Sequence, residues 1–422
     1  MEKIFDLIEQ ERQRQENEIC LIASENYMSK NVIKACGSVL INKYAEGYSG
    51  HRYYSGCHII DEIETIAIEN AKKLFKCNFA NVQPNSGCQA NQAVYLAFLK
   101  PGDCVLGMGV NEGGHISHSL SIGFAGTFYN VIPYGLTDDG LLDYDSVKEK
   151  IYVNNPKLLI VGASAYPREI DFKRIREIVD EYNNTIFKQD GNEDRKCYMM
   201  VDIAHIAGLV ATGLHQSPIP YADVVTSTVQ KTLRSGRGGL ILWNNPDYTK
   251  KINSAIFPRL QGGPLENMIA GKAIGFEEAL QPSFKEYQLQ VLKNIKAMEK
   301  VFKNNKINMV SGGSDNHLIL LDLRNNDISG QELEDALQSI GIITNKNAVK
   351  DDPRSKMQTS GLRIGTAAAT TRGASEEDCS KIAEIISNVI IEFSKHKTLS
   401  KETIEKDSLW VKNWCKTHPI YK

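Results

Sequence analysis

Long apolar runs are missing from this 422-residue chain. No stretch approaches the roughly 18–20 residues that a membrane-crossing helix needs, which argues against a membrane partner. An excess of one charge is also missing. Lys and Arg number 49, Asp and Glu 51, and the net charge near −2 gives no general pull toward nucleic acid or anionic lipid. The nine cysteines contain no C-x-x-C and form no even framework. That pattern predicts a reducing compartment and speaks against structural zinc. In such a compartment the sequon Asn183-Asn184-Thr185 is a chance match. His115-x-x-His118 has the spacing of a metal pair, but no third ligand follows at a recognisable distance, so no metal is expected. The opening Met-Glu-Lys-Ile-Phe-Asp-Leu-Ile-Glu-Gln-Glu-Arg is acidic and helix-patterned, unlike a signal or transit peptide. A cytoplasmic protein is expected, with the mitochondrial matrix as the alternative if a presequence has been removed. Internal repeats and long low-complexity tracts are lacking too.

What is present is ordinary globular composition, 42% hydrophobic and 24% charged, over a length that calls for more than one domain. Residues 4 to about 18 place Ile4, Phe5, Leu7 and Ile8 ahead of a polar stretch and predict a helical arm with one packed face. From about 60 to 265, helices such as Ile63–Phe75 and Asp171–Tyr182 alternate with apolar strand-like runs. Those runs are Cys104–Met108, Leu158–Gly162, Met199–Asp202, Val224–Val229 and Leu240–Trp243. The alternation predicts an α/β fold with a mostly parallel sheet, whose ligands sit at the carboxyl ends of strands. The polar run Thr185–Lys196 reads as a surface loop. Beyond about 270, a long helix near Phe284–Asn304, a strand at His317–Leu323 and a Ser375-capped helix ending near Phe393 predict a second, α+β domain. The boundaries expected are 1–60 for the arm, 61–270 for the large domain and 271–422 for the small one.

One lysine stands out. Lys231 follows the β-branched run Val224–Val229 and precedes a basic, glycine-rich turn, Arg234 to Gly239. Upstream, the apolar Tyr-Met-Met-Val ends in Asp202 and His205. A lone lysine after a strand is usually a solvated loop charge. A lysine that can form a Schiff base, together with an aspartate that can pair with a pyridinium nitrogen, is the minimum equipment of a pyridoxal-phosphate (PLP) enzyme. Asn85-Ser86-Gly87-Cys88-Gln89 precedes the helical run Ala90–Leu99 and offers small residues at a helix N-terminus, where phosphate binds; most such turns are only caps. Gln261-Gly262-Gly263-Pro264 is either a second phosphate-approaching turn or an ordinary one. Asn42–Tyr48 and His51–Cys57 are dense in Tyr and Gly, suited to proton transfer or to plain surface packing. Arg363, between Gly361 and Gly365, is either a carboxylate clamp or structural.

Together these segments resemble the serine hydroxymethyltransferase family. Leu21-Ile-Ala-Ser-Glu-Asn26, Asn42–Gly47, Arg52-Tyr-Tyr54, Asn81-Val-Gln-Pro84, Gly113-Gly-His115 and Asp202-Ile-Ala-His205-Ile-Ala-Gly208 stand in the family's order. So do Lys231-Thr-Leu233, Arg237-Gly-Gly239, Gln261–Pro264, Ser314-Asp-Asn-His317, Asn345-Lys-Asn347 and Ser360–Thr366. The resemblance covers the chain from near its first helix to its last, and the spacing from Cys57 to Asn81 is similar to the family's bacterial type.

The resemblance implies a fold-type-I PLP enzyme, aspartate-aminotransferase-like, acting as a homodimer with shared sites, a tetramer being possible. It implies transfer of the serine hydroxymethyl carbon to tetrahydrofolate, leaving glycine. By similarity Lys231 carries PLP and Asp202 pairs with its ring nitrogen. His115 stacks on the ring, while Ser164 and His205 contact the phenolic oxygen. Ser86, Gly87 and Cys88 cradle the phosphate, with Tyr44 and Gly263 of the neighbouring subunit. Ser24 and Arg363 grip the substrate carboxylate. Glu46 and Tyr54, also from the neighbour, handle protons, and Thr228 stands near the active lysine. Val110, Gly114 and Asn347 would line the folate site.

The chain departs from the family's pattern before the lysine. Thr-Thr-Thr-Thr-His-Lys becomes Thr226-Ser-Thr-Val-Gln-Lys231, so Val229 loses a hydroxyl and Gln230 replaces a histidine. Ser235-Gly236-Arg237 replaces Gly-Pro-Arg and predicts a looser turn. Cys88 replaces a serine, Asn85 a histidine, Lys356-Met357 a Pro-Phe pair and Ala367 a proline. Two alternatives follow: a PLP-binding homologue of low activity serving as a structural or regulatory subunit, and a folate-independent aldolase for threonine-type β-hydroxy amino acids.

Overall fold

The computed structural model describes residues 1–190 and 195–421. The chain forms two compact units, Met28–Gln288 and Met1–Tyr27 with Leu289–Lys422. The larger is built on a seven-stranded sheet: β1 (Phe79–Asn81), β2 (Cys104–Met108), β3 (Asn130–Tyr134), β4 (Leu158–Val161), β5 (Tyr198–Asp202), β6 (Val224–Thr228) and β7 (Gly239–Trp243). Their spatial order is β1-β7-β6-β5-β4-β2-β3. Only β7 runs antiparallel to its neighbours.

Successive side chains of a strand leave on opposite faces, so a sheet covered on both sides needs unbroken apolar runs. The two faces have separate cores. Leu106, Met108, Leu159, Val161, Met199, Val201 and Val225 enter one cluster. Val105, Leu158, Ile160, Met200, Val224, Ile241 and Trp243 enter the other. The edge strand β3 gave no sequence signal because Pro133 interrupts it; an edge tolerates the lost N–H.

The loop expected over Thr185–Lys196 is corrected in part. The helix Phe172–Asp190 runs on through the polar stretch, because Ile175, Val179, Tyr182 and Ile186 continue one buried stripe. Residues 191–194 of that expected loop lie outside the described residues.

The second unit holds a three-stranded antiparallel sheet of β8 (Leu318–Asp322), β9 (Asn345–Asn347) and β10 (Gly361–Gly365), with β10 central. Ser329 with Glu332, and Ser375 with Asp378, close capping boxes on the helices Gly330–Ser339 and Glu376–His396. The N-terminal segment belongs to this unit: Ile19–Cys20 pairs in parallel with Ile342–Ile343. Arg372, fully buried, donates to the carbonyls of Gln15, Glu16 and Glu18 and so caps the end of the helix Glu2–Asn17. That helix buries none of its own side chains; Ile4, Phe5, Leu7 and Ile8 are all exposed. Among the described residues no helix is long and apolar enough to cross a membrane, and all nine cysteines are free.

Candidate active site

The carboxyl ends of β5 and β6 lie side by side, with Asp202 opposite Thr226. The Ile203 amide donates to the Thr226 carbonyl at 2.9 Å, which carries the pairing just past the strand end. Lys231, 8% exposed, stands three residues beyond β6. Two backbone hydrogen bonds close the turn around it: Val229 N donates to Gly238 O, and Ser235 N to Val229 O. The Thr232 hydroxyl donates to the His205 carbonyl at 2.8 Å and ties the lysine turn to the segment after Asp202.

Asp202 is buried, and three partners address its two oxygens, which leaves acceptor capacity to spare. Oδ2 accepts from Asn91 Nδ2 at 2.9 Å and lies 3.0 Å from His118 Nε2, while Oδ1 accepts from the Ala204 amide at 2.9 Å. Burial works to raise its pKa, but the His118 and Asn91 hydrogen bonds and the nearby imidazoles prevail and hold it well below the usual carboxylate range. Asn91 is the hub. It also donates to Ser117 Oγ and accepts from the Thr226 hydroxyl.

At the carboxyl end of β2, His115 caps the short helix Ile116–Ser119, its Nδ1 accepting from the Ser117 amide at 3.2 Å. The Ser164 amide donates to Gly113 O at 2.7 Å, which draws Ser164 to the same turn. Val110 opens that turn, and the Gly114 amide closes it on Gly109 O.

Ser86 is the N-cap of the helix Gly87–Phe98 and accepts from the Gln89 amide, leaving its own hydroxyl proton to donate outward. A methyl group at Gly87 would fall 2.5 Å from Thr228 Cγ2, so this helix start lies directly against the end of β6. Burial and Asp202 push the Cys88 thiol up while Lys231 pulls it down; the net shift is upward. The Thr228 hydroxyl and Gln230 Oε1 are buried without a partner.

Tyr44, Glu46, Tyr54 and Gly263 form a second, more exposed group. The Tyr44 hydroxyl donates to Glu46 Oε1 at 3.3 Å, and its ring meets Tyr54 edge-on at 5.2 Å. A methyl on Gly263 would touch the Tyr44 ring at 3.2 Å. Arg52 anchors this loop from below, donating to Ala45 O and Gly47 O and pairing with Asp61 and Glu64 at 2.8 Å each. Glu266 lies 4.0 Å from the same guanidinium, too far to bond; burial and the neighbouring Glu64 raise it to about 8.

In the other unit, Arg363 on β10 is nearly buried and donates to Asn345 Oδ1 at 3.1 Å. Burial pulls its pKa down to about 10, which leaves it cationic. The Gly365 amide donates to Leu21 O, and a methyl there would meet Ala23 at 2.5 Å, so the segment carrying Ser24 lies along the arginine's strand. Asn347 on β9 pairs with Gly361 of β10.

Sequence reasoning therefore missed two residues of the Asp202 cluster. Asn91 carries no local signal in a helix read only as a phosphate support. His118 was visible, but its spacing from His115 suggested a metal pair; its ring addresses Asp202 instead.

The serine hydroxymethyltransferase family model matches residues 1–386. The serine hydroxymethyltransferase of Francisella philomiragia subsp. philomiragia is 52% identical over 421 residues, covering 100% of this chain and 97% of its own. Those of Francisella tularensis subsp. novicida (50% over 421 residues; 100% and 97% covered) and Baumannia cicadellinicola subsp. Homalodisca coagulata (49% over 420; 99% and 96%) are similar over the same extent. Likeness this high, running end to end through the lysine turn and the Asp202 cluster, makes the chain a member of the serine hydroxymethyltransferase family.

Proposed function

We propose that this protein is a PLP-dependent serine hydroxymethyltransferase, moving the hydroxymethyl carbon of serine reversibly to tetrahydrofolate to give glycine and 5,10-methylenetetrahydrofolate. The observation that carries the reading is the meeting of Lys231, the buried ionised Asp202 and the Ser86-capped helix start at one edge of the sheet.

The donor set fits PLP. A lysine amine suits its aldehyde, an ionised buried carboxylate its protonated ring nitrogen, and a helix N-terminus its phosphate. PLP, when bound, supplies the electron sink for the pair left at Cα as the Cα–Cβ bond breaks. The chain's own residues do the rest. Asp202, kept charged by His118 and Asn91, holds a proton on the ring nitrogen. Ser86 and the amides of Gly87 and Cys88 bind the phosphate, with Tyr44 and Gly263 of a second copy. His115 covers the ring, while Ser164 and His205 orient its phenolic oxygen. The Thr228 hydroxyl, buried without a partner, is a free donor beside the lysine turn. Ser24 and Arg363 would take the amino-acid carboxylate and so fix the orientation of the substrate. Glu46 and Tyr54 of the second copy move protons at the serine hydroxyl. Val110, Gly114 and Asn347 contact the folate.

The exposed Tyr44, Tyr53 and Tyr54, with Val39 and Ile41 nearby, support the homodimer. Cytoplasmic location is the reading that fits a chain with free thiols throughout.

The test is a visible spectrum of the purified protein with PLP, before and after glycine and then tetrahydrofolate, alongside turnover of Lys231→Ala. A visible band that shifts to longer wavelength with glycine and folate, and is lost with turnover in the variant, supports the reading. Undiminished turnover in Lys231→Ala overturns it.

A further inference from the structure

Three backbone carbonyls turn inward beneath the phosphate turn and meet at one ammonium. Lys272 Nζ donates to Val82 O at 2.6 Å, Pro84 O at 3.0 Å and Gly239 O at 3.0 Å. Val82 and Pro84 belong to the chain that leaves β1 for Asn85–Gly87, and Gly239 opens β7. An ammonium has three protons and no more, so all are spent on these oxygens.

Lys272 comes from the helix Glu266–Ala279, within the otherwise apolar and small-residue run Met268 to Phe276, and is 1% exposed. Burial pulls the Lys272 pKa down to about 7, yet three acceptors within 3.0 Å call for three protons, which only the charged ammonium carries. Three carbonyl oxygens converging on one point also repel each other unless a cation stands between them. The chain makes room for it deliberately. A methyl on Gly238, whose φ of +155° already disfavours other residues, would collide with Lys272 Cε and Nζ. One residue on, a methyl on Gly239 would strike Ser86 O, and the Gly239 amide donates to Pro84 O at 2.8 Å. The ammonium therefore ties the segment that leads into Ser86 to the start of β7, which lies against Ser86 O. Gln261 completes the clasp, accepting from the Asn85 amide and donating to Gln83 O, both at 3.0 Å.

We propose that Lys272 serves as a built-in cation that positions the phosphate turn: by drawing the carbonyls of Val82, Pro84 and Gly239 to one point, it sets where Ser86 and the amides of Gly87 and Cys88 stand. The inference rests on the reading of Ser86–Cys88 as the seat of the cofactor phosphate. Lys272 has no donor left for a ligand, so it is a positioning residue.

The experiment titrates PLP into the apoproteins of the native chain, Lys272→Met and Lys272→Ala, following the visible band and the melting temperature. Lys272→Met keeps the stem and loses the charge. It is expected to melt within a few degrees of native, to bind PLP on the order of tenfold more weakly or worse, and to regain turnover as PLP is raised. In Lys272→Ala, ammonium or methylammonium is expected to restore most of the affinity by entering the vacated carbonyl triangle, whereas bulky tetramethylammonium is not. Native-like PLP affinity in Lys272→Met overturns the inference. So does a weakened Lys272→Ala that neither small cation recovers, or an apoprotein of either variant that is unfolded at 25 °C, since the lysine is then a general support of the fold. A native protein that does not bind PLP strikes instead at the phosphate-seat reading, and the inference falls with it.

Discussion

His118 Nε2 lies 3.0 Å from Asp202 Oδ2, and both side chains are buried. His118 sits one helical turn after His115, so a single four-residue helix aims one imidazole at the carboxylate and begins with the other. The pairing explains how a carboxylate out of water stays ionised. Its folded pKa is depressed, so its contribution to stability is present above the unfolded value and is lost as pH falls through the folded one.

Replacing His118 with Phe removes that support while filling the space. Asp202 then protonates at higher pH, and a neutral acid no longer favours a protonated ring nitrogen. Turnover is expected to fall roughly ten- to a hundredfold, the range for losing one hydrogen bond to a buried charge. The acid limb of PLP binding, followed by the visible band between about pH 4 and pH 8, should move upward. An unmoved acid limb would mean that Asn91 and the Ala204 amide suffice.

Glu266 gives the opposite sign. Its carboxyl is raised to about 8 by burial and by Glu64, against the attraction of Arg52, and neither oxygen accepts a hydrogen bond. Between the unfolded value of 4.5 and the folded one, the folded chain holds a proton that the unfolded chain has released. This burial therefore costs increasing stability as pH rises through that window. Glu266→Gln removes the titration. The variant is expected to match native at pH 4 and to exceed it increasingly toward pH 8, at about 1.4 kcal/mol for each pH interval of one at most. Parallel melting curves across that range check it; a gain that is flat with pH would show that Glu266 is ionised throughout.

The strands that carry the site were legible because they are short, apolar and bounded by polar turns. β2 is Cys104–Met108 in both sequence and structure, and the expected Val224–Val229 differs from β6 by one residue. Asp202 stood out because it ends a strand, and Lys231 because it closely follows one, three residues beyond β6. What was not legible depends on distant pairing. Asn91 means nothing until its helix is laid across β5 and β6. The strand Ile19–Cys20 is two residues long and exists only through its partner Ile342–Ile343. Lys272 looks like an exposed helix charge until three carbonyls from two other segments surround it.

Cys88 is proposed to stand at the cofactor phosphate. Its thiol stays protonated at neutral pH, because burial and the nearby Asp202 oppose ionisation, and a thiol is a weak donor. Cys88→Ser places a hydroxyl at the second residue of the Gly87–Phe98 helix without changing the backbone. PLP is expected to bind several-fold more tightly, up to roughly tenfold for a full hydrogen bond to a charged group. Equal dissociation constants would show that backbone amides alone hold the phosphate.

Gln230 stands where the family has histidine, and its Oε1 is buried without a partner. Hydrogen bonding survives the exchange, titration near neutrality does not. If the position acts through a hydrogen bond, Gln230→His changes kcat less than about tenfold in either direction, and the pH profile keeps its shape. A far larger gain, with a new inflection near neutral pH, would mark the native chain as an impaired enzyme and favour the partner-subunit reading.

Tyr44, Glu46, Tyr54 and Gly263 cluster on one chain, and Tyr44 and Tyr54 are about half exposed. Tyrosine rings left open beside a carboxylate suit a surface completed by another copy. The proposal that they serve a second copy's lysine has a direct check. Lys231→Ala and Glu46→Ala are each expected to be nearly inactive alone. Dissociated, mixed in equal amounts and reassociated, they form mixed dimers in which one site has both a native Lys231 and a native Glu46. Half the dimers are mixed and each has one intact site of two, so roughly a quarter of native turnover should return. If each chain completed its own site, every site in every mixture would lack one residue, and no activity would return at any ratio.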